Sequence, residues 1–60
     1  MYKQGETVWI YKDPVQKTRP IQGTITVMNK HLYYVRVEDH YHMVFDDMTI
    51  GHTKEELEAA

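Results

Sequence analysis

The sequence predicts an all-β fold: a small, five-stranded antiparallel barrel that ends in a single helical or 3₁₀ turn. The chain has only 60 residues, which is enough for one domain with one small core. Short runs of β-branched and aromatic residues alternate with turn residues along most of it. No segment has the length of an amphipathic helix that could cover a sheet, so we expect the sheet to curl on itself.

The first strand is predicted at residues 6–11, where β-branched and aromatic residues follow one another. Because successive side chains of a strand point to opposite faces, Val8 and Ile10 are expected in the core and Trp9 on the other face. Residues 12–20 contain both prolines and are predicted to form a long polar loop.

The second strand is predicted to resume pairing at Ile21, with Gly23 at a bend or bulge that needs a residue without Cβ. Alternation then predicts that Ile25 and Val27 both point inward. A two-residue turn is expected at Asn29-Lys30, because asparagine tolerates the left-handed conformation of tight hairpins.

The third and fourth strands are predicted at residues 31–38 and 41–45, and a short fifth strand at residues 48–51. The opposite face of the third strand carries Arg36, so the inner face is assigned to Tyr33, Val35 and Val37. In the fourth strand the residues that share one face are Tyr41, Met43 and Phe45.

The C-terminal segment has a helical signature. Residues 53–56 read Thr-Lys-Glu-Glu, a capping box in which the Thr53 hydroxyl accepts from the amide of Glu56 while the Glu56 side chain reaches back. Leu57 is the one strong apolar anchor, so we expect a single turn that frays by Ala60.

These elements, in this order, resemble an SH3-like small barrel of the KOW and Tudor-like branch, and small stand-alone barrel proteins of bacteria and phages. The resemblance rests on the segments GETVWI, GTITV, YYVRV and TKEEL, and it spans nearly the whole chain. It implies that Val8 and Ile10 are core residues, that Gly23 lies where the barrel bends, and that Leu57 plugs the barrel from below. It also implies a groove beside the long first loop that takes a peptide or protein partner.

Composition excludes several functional classes. The absence of cysteine rules out a disulfide framework, a thiolate zinc site and a cysteine nucleophile. The longest uncharged apolar runs, such as residues 8–11, are too short to cross a bilayer or to act as a signal peptide. We therefore expect one cytoplasmic domain over residues 1–60 that uses no cofactor, and that constitutes the whole gene product.

The charge distribution is uneven. The net charge is −2, which is the wrong sign for a dedicated nucleic-acid binder. Most basic residues lie in the first half of the chain, and most acidic residues in the second half. This polarity is compatible with electrostatic steering toward a partner, or with an ordinary solvated surface.

Candidates for metal binding or catalysis are few. His40 and His42 would lie about 7 Å apart on one face of a strand, which is a spacing at which two histidines can share zinc. The alternative is that both are solvent-exposed polar residues at a strand end. The pair Asp46-Asp47 is expected in a turn, and no nucleophile or phosphate-loop motif accompanies it. The sequence therefore predicts a protein that is not an enzyme.

Aromatic residues are the strongest functional signal, because so small a core cannot bury five Tyr, one Trp and one Phe. Trp9, Tyr11 and Tyr34 fall on faces opposite the core and are predicted to form a protein-binding patch; alternatively, they cover the open ends of the barrel. The full set of predicted partner-binding residues is Trp9, Tyr11, Tyr34, Lys12, Lys17 and Arg19. The predicted function is that of a small adaptor or a phage-type inhibitor that occupies the surface of a partner protein.

Two other partners remain open. A basic and aromatic strip of Lys12, Lys17, Arg19 and Lys30 with the neighbouring aromatic rings could bind nucleic acid in a salt-sensitive way. A barrel with exposed aromatic side chains could also bury them in a symmetric homodimer.

Overall fold

The computed structural model describes residues 1–38 and 41–59. The elements are β1 (Thr7–Tyr11), β2 (Pro20–Asn29), β3 (Leu32–Val37), β4 (Tyr41–Asp46), β5 (Ile50–Gly51) and α1 (Lys54–Ala59). The strands form one antiparallel sheet in the order β4-β3-β2-β1-β5, and the sheet curls into a half-barrel. The predicted all-β fold with a short C-terminal helix is confirmed. Within the described ranges no helix is long and apolar enough to span a membrane.

The inner, concave face of the sheet holds the core. Its buried side chains are Val8, Ile10, Ile25, Tyr33, Val35, Val37, Phe45 and Ile50. Alternation predicted the inner faces of β1 and β3 correctly. Register also places Tyr41, Met43 and Phe45 on one face of β4, although burial increases along that strand: Tyr41 is 54% exposed, Met43 is partly buried and Phe45 is buried.

A β-bulge in β2 overturns one predicted orientation. Ile25 pairs with Val35, but Val27 pairs with Tyr34, so Thr26 is an extra residue on the β2 side. The Thr26 hydroxyl donates a hydrogen bond to the Tyr34 carbonyl at 3.1 Å. Because one inserted residue reverses the alternation beyond it, Ile25 is buried while Val27 points outward. The prediction that both point inward is wrong for Val27.

The bulge is not at Gly23, which lies inside β2 opposite Val8. A Cβ at this position would lie 2.5 Å from Val35 Cγ1 and 2.8 Å from Val37 Cγ1. Gly23 is therefore needed because β2 and the inner side chains of β3 approach closely where the sheet curls.

The β2–β3 turn is displaced by one residue from the prediction. Asn29 still pairs with Leu32, so the two turn residues are Lys30 and His31. Lys30, and not Asn29, adopts the left-handed conformation, with φ = 57°.

The helix α1 begins where the capping box predicted. The amide of Glu56 donates to the Thr53 hydroxyl at 3.0 Å. Leu57 is buried, but it lies outside the main core cluster, and its backbone rests against Gly51 of β5. The first turn of the helix thus packs onto the β5 edge of the sheet.

Replacement of Gly23 by alanine should destabilise the fold by about 1–3 kcal/mol, because the new methyl group overlaps two core side chains. Urea unfolding followed by circular dichroism measures the change. Gln22→Ala, at the exposed neighbouring position of the same strand, is the control and should cost less. Equal losses for the two variants would contradict a close approach at Gly23.

Candidate functional site

An exposed apolar cluster lies on the outer, convex face of the sheet. Val27 of β2, Tyr34 of β3 and Val44 of β4 are direct cross-strand neighbours, and Leu32 shares their face two residues from Tyr34. Their exposed fractions are 51% for Val27, 44% for Leu32, 40% for Tyr34 and 53% for Val44. We call these four residues the outer apolar row.

Two features of the sheet create the outer apolar row. The bulge at Thr26 turns Val27 outward, and without it Val27 would face the core. The β3–β4 register has no irregularity, so Tyr34 and Val44 stay directly opposite each other. Cross-strand neighbours of this kind have Cβ atoms about 5 Å apart, so the side chains form a continuous apolar surface.

The structure brings only part of the predicted aromatic patch together. Trp9 and Tyr11 share the outer face of β1, and both are half-buried. Trp9 pairs with Gln22, whereas Tyr34 pairs with Val27, five residues further along β2. Trp9 is also opposite Gly51, on which the first turn of α1 rests. Tyr34 thus belongs to the outer apolar row, and Trp9 lies at the other end of the same face.

The predicted basic residues do not form one strip. The Lys12 Nζ lies 3.0 Å from both carboxylate oxygens of Glu38 and 5.4 Å from the ring centroid of Tyr41. Lys17 and Arg19 are exposed in the long loop before β2. Lys30 lies in the turn at the opposite end of that strand.

The long loop itself is ordered by one aspartate. The amides of Val15 and Gln16 donate to Asp13 Oδ1 at 3.1 and 3.2 Å, and the amide of Lys17 donates to the Asp13 carbonyl at 2.8 Å. Such Asx-type bonds satisfy the amides of Val15 and Gln16 within the loop. They leave Val15 at the loop surface, 91% exposed.

One of the two candidate zinc ligands lies within the described residues. His42 lies on the outer face of β4, opposite Arg36 of β3. His40 falls outside the described residues, so its predicted position beside His42 stays a prediction. Within the ranges 1–38 and 41–59, no three His, Cys, Asp or Glu side chains are grouped as a metal site.

A polar cluster at the rim of the concave face was not found from the sequence. His52 Nδ1 lies 2.7 Å from Glu6 Oε2, and the His52 ring stacks on Tyr2 with 4.0 Å between centroids. Tyr2 also meets the ring of Tyr33 edge-on and donates its hydroxyl to the carbonyl of Ile50 at 3.1 Å. These contacts join the N-terminal segment to β3, β5 and the residue after β5. Their partners are 31 to 50 positions apart in the sequence, so no local pattern predicts them.

A second polar group lies beside Tyr33. Its hydroxyl donates to Asp47 Oδ1, and His31 Nδ1 lies 2.7 Å from Asp47 Oδ2. Together with Tyr2 and Met28, these side chains line an open cleft of about 530 Å³. Both oxygens of the Asp47 carboxylate already have partners within the chain, so the group is best explained as a structural contact between the β2–β3 turn and the β4–β5 turn.

These contacts shift the pKa values of the participating groups. The hydrogen bond from Tyr33 lowers the pKa of Asp47, and the bond from His31 adds to this effect. Burial alone would raise the pKa of Glu6, but the hydrogen bonds from His52 and the Lys3 amide outweigh it and lower that pKa. Burial and the nearby carboxylates raise the pKa of Tyr2 to about 12.

The fold and the outer face define a small, curled, antiparallel β-domain with an exposed apolar row across three strands. In comparisons with known proteins, no family model, no curated protein and no solved structure matches the chain. Its function therefore has to be inferred from its own geometry and chemistry.

Stability should decrease as the pH falls below about 4.5. Glu6 and Asp47 have pKa values below the ordinary 4.5 and 3.8, so the unfolded chain binds protons first and is favoured as the pH falls through the lowered values. Asp47→Asn should be less stable than the wild type at pH 7 and lose less stability between about pH 5 and pH 3. Urea unfolding across this range measures both effects. Glu58→Gln, an exposed helix variant with the same charge change, should keep the wild-type pH profile.

Proposed function

We propose that this chain is a non-enzymatic protein-interaction module, and that its binding surface is the outer face of the sheet, centred on Tyr34. The single observation that carries the proposal is the outer apolar row: four apolar side chains from three strands that are contiguous and exposed. Isolated surface apolar residues need no explanation, whereas a contiguous patch of them is typical of an interaction site.

The composition of the patch supports a protein partner. Tyrosine contributes a large contact area with little loss of side-chain entropy, which is why it is common among binding hot spots. The valines beside Tyr34 are stiff at χ1 and can pack against a partner without much ordering cost. Trp9 and Tyr11 extend the same face toward the long loop, where Lys12, Lys17 and Arg19 could border the interface.

The proposal includes an SH3-like small-barrel fold for this chain. The KOW and Tudor-like resemblance rests on the sequence segments quoted above, and the curled five-stranded sheet is compatible with a small barrel of that kind. By analogy with small stand-alone barrels, the chain would act in the cytoplasm as an adaptor, or as a phage-type inhibitor that occupies a surface of another protein.

A substitution at Tyr34 should abolish capture of the partner and leave the fold intact. Tyr34 points outward, so Tyr34→Ser removes contact area without opening a cavity in the core. The wild type and the variant are immobilised and exposed to host extract. A protein retained by the wild type alone is identified by mass spectrometry, purified, and its Kd measured; we expect a loss of at least about 2 kcal/mol in Tyr34→Ser.

Met48→Ser is the matched control, because Met48 is an exposed apolar residue in the β4–β5 turn and outside the outer apolar row. Its Kd should stay at the wild-type value. Equal affinity of Tyr34→Ser and the wild type would refute the assignment of the outer face. Retention of labelled single-stranded DNA or RNA that falls steeply with salt, in place of a protein, would favour the nucleic-acid alternative.

A further inference from the structure

In the described part of the chain, the strand β4 is an edge of the sheet. Within that part it pairs with β3 alone, and it is the first strand in the sheet order. Edge strands are commonly protected by proline, by lysine or by a bulge. Residues 42–46 contain no proline and no lysine, and their register with β3 is regular. At the C-terminal end of the strand, the Asp46 amide donates to Thr49 Oγ1 and the Asp46 carbonyl accepts from the Thr49 amide. The backbone that can accept another strand is therefore the part around Val44.

The opposite edge of the sheet is different. The edge strand β5 has only two residues, and the first turn of α1 packs against it at Gly51. A strand this short offers little backbone for pairing. Of the two edges, β4 is therefore the one suited to a partner, and it is also the strand that contributes Val44 to the outer apolar row.

The sequence of β4 is complementary to itself in one antiparallel register. When Val44 is placed opposite Val44 of a second strand, His42 lies opposite Asp46 on the same face. Met43 then lies opposite Phe45 on the other face. Each outer position thus meets its complement: two valines in the centre and a histidine–aspartate pair on each side.

The neighbouring registers lack this match. A two-fold axis at Met43 would place His42 opposite Val44. A two-fold axis at Phe45 would place Val44 opposite Asp46. The Asp46 side chain is held by the turn that follows. Its Oδ1 accepts from the Met48 amide at 2.9 Å and from the Thr49 hydroxyl at 3.1 Å, which leaves the second oxygen to accept a hydrogen bond from the ring of His42 in the second copy.

We propose that β4 pairs with β4 of a second copy of this chain, antiparallel and with the two-fold axis at Val44. The two five-stranded sheets then form one sheet of ten strands. The outer apolar row of one copy continues into that of the other through the paired Val44 side chains, so the apolar surface doubles in length. This inference rests on the proposed function, since it names a second copy as the partner that binds at the β4 end of the interaction face.

Cysteine cross-linking tests the register directly, because the chain contains no cysteine. Directly opposed residues have Cα atoms about 4.5–5.5 Å apart, which a disulfide can bridge. Val44→Cys at micromolar concentration should form a disulfide-linked dimer on mild oxidation. Val27→Cys is the matched control, since it is equally exposed on the same face but two strands from the edge. Pairing raises the effective thiol concentration from the micromolar to the millimolar range, so Val44→Cys should cross-link up to about a thousandfold faster.

Variants at His42 test the charge pairing without oxidation. His42→Glu places a carboxylate opposite Asp46 of the second copy, while Arg36 of the same chain compensates the new charge within the monomer. Sedimentation equilibrium should show a dimer for the wild type and for His42→Gln, and a folded monomer for His42→Glu. Circular dichroism confirms that each variant is folded.

The outcomes separate this inference from the proposed function. Equal cross-linking rates for Val44→Cys and Val27→Cys, with a monomeric wild type, would overturn self-pairing. If Tyr34-dependent binding of another protein persisted in that case, the outer face would still be an interaction surface, and the proposed function would stand. Loss of a foreign protein's binding in Tyr34→Ser together with rapid cross-linking of Val44→Cys would support both.

Discussion

The β-bulge at Thr26 is the constraint on which the outer face of this sheet depends. It lets β2 keep Ile25 in the core and still present Val27 on the outer face. The Thr26 hydroxyl donates a hydrogen bond to the Tyr34 carbonyl, so this carbonyl keeps a hydrogen-bond partner despite the extra residue in β2. Bulges also bend a strand and increase its twist, which is what a sheet of this size needs to curl around its core.

Alternation predicted the core well where strands are regular. Val8 and Ile10, and the inner residues of β3, follow from period-two patterning alone, because a slip of one residue would bury Arg36. Val27 could not be predicted, since no single residue type marks a bulge and the local pattern reads as regular. The sequence correctly indicated that position 23 needs a residue without Cβ. The cause is the close approach of Val35 and Val37, which arises only when β2 and β3 pair.

Among the polar contacts, the sequence predicts those between residues close in the chain and does not predict those between distant residues. The helix cap at Thr53 was predictable, because its partner amide is three residues away. The contact of His52 with Glu6 was not, because the fold alone joins residues 46 positions apart. In such long-range pairs, carboxylates and histidines that the sequence alone suggests as candidate ligands are already bonded to each other. In the described ranges this leaves the outer face, rather than the polar rim, as the better candidate for binding.

The short chain length accounts for both the open sheet and the apolar residues exposed on its outer face. Sixty residues supply five strands, but the sheet they form stops at a half-barrel, so β4 and β5 remain edges and not neighbours. The two-residue strand β5, against which α1 packs, offers little backbone for pairing, while β4 leaves the backbone around Val44 available. The aromatic and β-branched residues that make the strands also exceed what a small core can bury, and the surplus lies beside that open edge, on Tyr34 and Val44. A strand added to β4 would therefore place its own outer-face side chains beside Val44 and extend the outer apolar row.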